Sequence, residues 1–173
     1  MPKNKQSKKI TDKPPVNHIF FSFAHTLKEC SKVKSKNFFF TNQVPANEIR
    51  EYRTTIDNAF RDWSTKTIQQ LEKSQICYPV KKDQINETRN NIAKVFQAAK
   101  YPLDWIKQNI QDPDLYKFKI GKQIRLFGIV ERNIIYILLY DLWHLINKVH
   151  WKNFSIPNKL VCTWCLKSCD KKK

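Results

Sequence analysis

The chain has 173 residues, 41% of them hydrophobic and 13% aromatic, and 32 Lys+Arg against 15 Asp+Glu leave a net charge of +17. That length suits one domain with tails, and the cation excess is far beyond the charge of about 2 to 8 that keeps a small domain soluble, so it implies an anionic partner: nucleic acid first, an anionic membrane surface or an acidic protein next. No segment approaches the roughly 20 apolar residues of a membrane span, "MPKNKQSKKITDKPP" lacks the apolar stretch of a secretory signal, and five cysteines with no leader argue for free thiols in a reducing, cytoplasmic compartment.

Residues 1 to 16 are polar and Lys-rich and end in Pro14-Pro15, which reads as a disordered basic arm, either a nucleic-acid tether or a frayed terminus. Residues 17 to 173 form a single domain with a basic C-terminal tail. In "VNHIFFSFAHTL", Phe21 and Phe23 alternate with small polar residues and predict a first strand, and "VKSKNFFFTNQ" reads as a second short one. Pro45 opens the clearest helix. Ile49, Tyr52, Ile56, Ala59, Phe60, Trp63 and Leu71 recur at helical spacing and predict one helix from about Ala46 to Lys73.

"YPVKKDQ" reads as a break. Asp83 is the expected N-cap of a second helix, with Ile85, Ile92, Val95, Phe96 and Ala99 on one face and an end near Lys100. Pro102 starts a third, short helix, "PLDWIKQNI", closed by the turn signal "QDPD".

The text then changes character. "LYKFKIGKQIRLFGIV" and "IIYILLY" are β-branched and aromatic, as strands prefer. Glu131-Arg132-Asn133 reads as a three-residue turn, with Asn133 in the left-handed conformation. Beyond Pro157, "KLVCTWCLKSCDKKK" makes a last short strand or helix. The expected fold is α+β, with about three helices packed on an antiparallel β-sheet whose central hairpin spans residues 123 to 140.

A three-residue loop pairs Val130 with Ile134, and so sets Phe127 opposite Ile137, Arg125 opposite Leu139 and Gln123 opposite Asp141. Arg125 and Asp141 become diagonal neighbours on one face. His144 follows Asp141 by three residues, at the point where the strand must turn. A carboxylate that orients an imidazole serves general acid–base chemistry, such as activating a ribose 2′-hydroxyl against its own phosphate. Arg125, with Lys122 or Lys148 nearby, would stabilise charge growing on that phosphate. The candidate catalytic residues are therefore His144, Asp141 and Arg125. On the competing reading Asp141 caps the turn, Arg125 pairs with it and His144 is half-buried between Trp143 and Leu145.

Between Lys117 and Lys173 there are 12 basic and three acidic residues, with aromatic residues among them. Cations for phosphates and rings for unstacked bases suit single-stranded nucleic acid. The candidate nucleic-acid-binding residues are Lys117, Lys119, Lys122, Arg132, Lys148, Trp151 and Lys152. "CTWCLKSC" sets Cys162, Cys165 and Cys169 in C-x2-C-x3-C. With His150 they could hold a structural zinc, but a second knuckle is not visible, and a terminal amphipathic turn of small apolar thiols is the preferred reading. No metal or other cofactor is expected.

Helices followed by a basic antiparallel sheet, with "KQIRLFGIVERNIIYILLYDLWH" as its central hairpin, are similar to the RelE/ParE group of toxin–antitoxin toxins. In that group an arginine-bearing strand precedes a hydrophobic strand and polar catalytic residues. The resemblance covers about residues 116 to 151 and transfers no catalytic position. This chain is longer than a typical member, and the group does not account for its helical middle. The resemblance implies RNA cleavage or gyrase poisoning, with neutralisation by an acidic antitoxin. The expected function is nucleic-acid binding, RNA before DNA, with metal-independent ribonuclease activity in a toxin or defence system. The rivals are a non-enzymatic module that binds nucleic acid or an acidic protein, and a structural protein with a zinc knuckle.

Overall fold

The computed structural model describes residues 18–27, 31–35, 38–147 and 160–162. The arm expected over residues 1 to 16, the interface candidates Lys148, Trp151 and Lys152, and the thiol-site members His150, Cys165 and Cys169 lie outside the described residues. In chain order the elements are β1 (Phe20–Ser22), β2 (Lys32–Ser35), β3 (Phe38–Thr41), β4 (Gln43–Pro45), α1 (Ile49–Trp63), α2 (Ile68–Lys73), β5 (Cys77–Pro79), α3 (Lys82–Ala98), α4 (Leu103–Ile106), a π-helical turn (Lys107–Gln111), β6 (Leu115–Ile120), β7 (Ile124–Glu131), β8 (Ile134–Asp141) and β9 (Leu160–Cys162). The fold is α+β, as the periodicities predict.

Five strands form one sheet in the order β1-β8-β7-β6-β5. Its centre is the antiparallel meander β6-β7-β8, and β1 adds to β8 in parallel. Period-2 alternation gives each face its own core. Leu115, Phe127 and Leu139 pack with Ile92, Val95 and Phe96 of α3, Ile106 of α4 and the phenylalanines of β3. Phe118, Leu126, Ile137 and Tyr140 pack on the other face with Trp63 at the end of α1 and Leu71 of α2. A sheet buried on both sides explains why β7 and β8 read as nearly continuous apolar text. Among the described residues no helix is long and apolar enough to cross a membrane.

Several elements differ from expectation. The single helix expected over 46 to 73 is two. Ser64 and Thr65 turn their hydroxyls back onto the Arg61 and Asp62 carbonyl oxygens, at 2.9 and 2.8 Å, which competes with helix continuation. Thr67 then starts α2 with a reciprocal capping box: its N–H donates to the Gln70 side chain at 2.8 Å, and its hydroxyl accepts from the Gln70 N–H at 3.2 Å. The strand expected in "VKSKNFFFTNQ" is an antiparallel pair, β2 and β3. The break at "YPVKKDQ" holds β5, an edge strand that tolerates Pro79 at its end. Asp83 is not the N-cap of α3; Lys81 stands there, and Asp83 lies in the first turn.

The hairpin turn is also shorter than expected. Glu131 pairs with Ile134, and the left-handed residue is Arg132, with φ 56°, rather than Asn133. Asn133 instead holds β1: its side-chain amide donates to the His18 carbonyl at 3.1 Å, and its own carbonyl accepts from the Phe20 N–H at 2.9 Å. The register shifts once more between Phe127 and Gly128, where Gly128 faces Ile137 but Phe127 faces Leu139. Leu138 is the extra residue of a β-bulge. The expected register, with Arg125 opposite Leu139, is thereby replaced by one in which Arg125 faces Asp141 directly.

Candidate nucleic-acid interface

Lys117 and Lys119 are two apart on β6 and so share a face of the sheet. Across the strands Lys119 pairs with Arg125 of β7, and Lys117 pairs with Tyr78 of β5 on its other side. Both ammonium groups sit over the Tyr78 ring, 5.2 and 5.3 Å from its centroid, within cation–π range. Partial burial pushes the Lys117 pKa down, and the like charges of Arg125, Lys119 and Lys81 push it further, against the opposing pull of Asp141. Lys81 comes from the start of α3, so three elements of the sheet and one helix deliver cations and a ring to one place. Burial raises the Tyr78 phenol, with Arg125 opposing.

Arg125 is fixed by the adjacent turn. Its Nη1 donates to the Lys122 and Ile124 carbonyl oxygens at 3.2 and 2.9 Å, while its buried Nε has no partner among the described residues. Among the described residues the cluster has no carboxylate within ion-pair distance, whereas on the helical side of the molecule Lys66 pairs with Asp62.

Asp141 is completely buried. One carboxylate oxygen accepts from the Leu145 N–H at 2.7 Å and the other from the Ile146 N–H at 2.8 Å. Burial pushes its pKa up to about 6, against the pull of these backbone donors and of Arg125. The carboxylate therefore caps the turn that ends β8. His144 lies within that turn, half-buried, with a left-handed φ of 59°, a conformation that His accepts more readily than most side chains. Asp-x-x-His is thus a capped bend that turns the chain away from the sheet, with Trp143 anchored by a 2.8 Å bond from its indole N–H to the Gln43 carbonyl.

The remaining candidates are dispersed. Lys122 occupies the β6–β7 turn, and its side of that turn faces Glu48 and Glu51 across a shallow cleft. Arg132 is exposed at the opposite end of the hairpin, about 20 Å from Arg125 at the rise of a strand. The structure brings together Lys117, Lys119 and Arg125 and adds Tyr78 and Lys81. These last two lay in text that reads as a break; the available signal was the apolar triplet Cys77-Tyr78-Pro79 just ahead of two lysines. Cys162 pairs with Gln43 in β9, and among the described residues no group of three metal-ligating side chains converges.

The chain belongs to the family described as "Uncharacterised protein UU032", whose model matches residues 22–169. No curated protein and no solved structure matches it.

Proposed function

We propose that this member of the UU032 family binds nucleic acid, single-stranded RNA in the first place, through the basic end of its sheet. The observation that carries the reading is the gathering of Lys117 and Lys119 over the Tyr78 ring, with Arg125 and Lys81 close enough to repel them, and with the buried Asp141 as the one carboxylate that acts on them among the described residues. Like charges held this close destabilise the fold unless a polyanion joins them. An aromatic ring beneath two ammonium groups also offers a face to an unstacked base. Cleavage by Asp141 and His144 is not part of the proposal, because both Asp141 oxygens already serve backbone donors.

The test is fluorescence anisotropy with a labelled 12-nucleotide RNA, the same sequence as DNA, and an acidic peptide. With four phosphates engaged, affinity for a single strand should fall about fiftyfold between 50 and 200 mM salt. Changing Lys117 and Lys119 to Met should remove two phosphate contacts and lower the log–log salt slope by about 1.4. A flat salt response overturns the proposal. Preference for the acidic peptide would favour a protein partner, in line with an antitoxin-like ligand. RNA cleavage in EDTA that disappears in His144→Ala would restore the enzymatic reading.

A further inference from the structure

A second cleft opens on the same face of the sheet, at the far end of β7 from the cation cluster. Its volume is about 460 Å³, and His25, Asn109, Asp114, Glu131 and Tyr136 line it, a size suited to a small ligand. Glu131 and Tyr136 are diagonal neighbours on that face, since Glu131 pairs with Ile134 two residues before Tyr136.

Two properties set this cleft apart. One is its rings. His25 lies 5.5 Å edge-on from Tyr136 and 5.8 Å from Trp105, and among the described residues its buried Nδ1 has no partner, which is uncommon for a buried polar atom. The other is its surplus of acceptors. The Asn109 amide nitrogen donates to the Trp105 carbonyl at 2.8 Å, which leaves its oxygen to accept. Among the described residues neither Asp114 nor Glu131 is in an ion pair. A protein of charge +17 thus keeps two carboxylates, unpaired among the described residues, beside aromatic rings in one recess.

We propose that this cleft binds a guanine base. The inference rests on the RNA-binding reading and deepens it. Among the common bases only guanine presents two adjacent donors, N1–H and the N2 amine, on its pairing edge; adenine sets one donor beside one acceptor, cytosine one donor beside two acceptors, and uracil a single donor between two acceptors. A carboxylate accepts both guanine donors side by side and repels the ring acceptor of adenine or cytosine. Glu131 reads this edge, the Tyr136 ring takes its face with His25 standing edge-on to that ring, and Asn109 and Asp114 supply further acceptors. The cation cluster lies on the order of 20 Å away along the strand, a distance that a short single strand crosses in a few nucleotides.

Uncharged nucleosides test the cleft independently of the cations. Guanosine, inosine and adenosine are titrated into the protein in 200 mM salt and followed by NMR at the His25 ring and the Asn109 amide. Guanosine should bind. Inosine, which lacks the N2 amine, should bind about tenfold more weakly for want of one charge-assisted bond, and adenosine more weakly still. Glu131→Gln should erase the preference for guanosine over inosine while the melting temperature stays unchanged, because Glu131 is exposed at the turn. Equal binding of the three nucleosides overturns the guanine assignment. No nucleoside binding, with salt-dependent RNA binding intact, overturns the cleft and leaves the cation cluster standing. Guanosine binding without RNA binding supports the cleft and overturns the reading on which it rests.

Discussion

Lys119 and Arg125 face each other as a cross-strand pair in the antiparallel β6–β7 ladder, one pair before the turn. Two like charges in this position cost stability, where a neutral or opposite pair would contribute it, and Lys117 and Lys81 add to the repulsion. Such an arrangement is expected where binding rather than stability fixes the residues.

The first prediction follows from that conflict. Lys117→Met keeps most of the side-chain volume over Tyr78 and removes one of the crowded charges. It should raise the melting temperature by about 1–2 °C, on the usual relation between free energy and melting for a chain of this size, while weakening RNA binding severalfold. Calorimetry and anisotropy on the same preparation check both signs. A variant that loses stability and binding together would mean that the ammonium groups stabilise the fold.

Gly128 and Gly121 should respond differently to alanine. At Gly128 a Cβ would lie 2.7 Å from the Tyr136 carbonyl oxygen, and backbone in a central ladder cannot yield as a side chain can. Gly128→Ala should cost about 1–3 kcal/mol, the usual range for overpacking, and should disturb the bulge at Leu138. Gly121 has open space around it, but its φ is +59°. Gly121→Ala should therefore cost only about 1–2 kcal/mol, for the left-handed backbone. Denaturant titration separates the two, with amide NMR shifts spreading across β8 in the first and confined to the β6–β7 turn in the second.

Asp141 predicts a pH dependence. Its folded pKa, about 6, lies above the roughly 3.9 of an unfolded aspartate. Between these values the native state holds a proton that the unfolded state has released. This contribution is therefore fully present below about pH 4, declines as pH rises to about 6, and is constant above. It amounts to roughly 3 kcal/mol. Asp141→Asn does not titrate, so the stability difference between wild type and variant should shift in favour of wild type as pH falls from 7 to 4. A difference that is independent of pH would place the Asp141 carboxyl at an ordinary value.

Thr67→Ala removes the hydroxyl that accepts from Gln70 and should cost about 1 kcal/mol. The loss should be local, with faster amide exchange in α2 and unchanged exchange in α1, because the chain between Trp63 and Thr67 already separates the two helices.

The large-scale architecture was legible because it follows from periodicity. The apolar faces of α1 and α3, the alternation along β6 and the apolar, β-branched runs of β7 and β8 all identify the elements that bury them. What escaped was decided by single hydrogen bonds. Thr67 and Gln70 spell a capping box inside a stretch whose apolar spacing continues across it, so the pattern suggested one helix. The hairpin register depended on whether Arg132 or Asn133 took the left-handed position and on a bulge at Leu138 that no local signal marks. Those two shifts brought Arg125 level with Asp141. The cation cluster was half legible: Lys117, Lys119 and Arg125 stand in strand text, whereas Tyr78 and Lys81 join them only through β5, a three-residue edge strand too short to show alternation. His25 and Glu131 meet across most of the chain's length, and neither belongs to a local motif.

The parallel docking of β1 on β8 has a consequence for how the chain is made. Asn133 reaches the His18 carbonyl across a separation of 115 residues, so β1 has no strand to join until nearly all of the sheet has left the ribosome. During synthesis Phe20, Phe21 and Phe23 wait in the open, and Phe20 remains 52% exposed even in the finished fold. The helices and the β6-β7-β8 meander form from contacts between near neighbours in sequence, and closing the β1 edge comes last, because the longest loop must shut before it is rewarded. A chain interrupted before β8 would then present an unpaired β7 edge beside loose aromatic residues, the combination from which cross-strand aggregation starts.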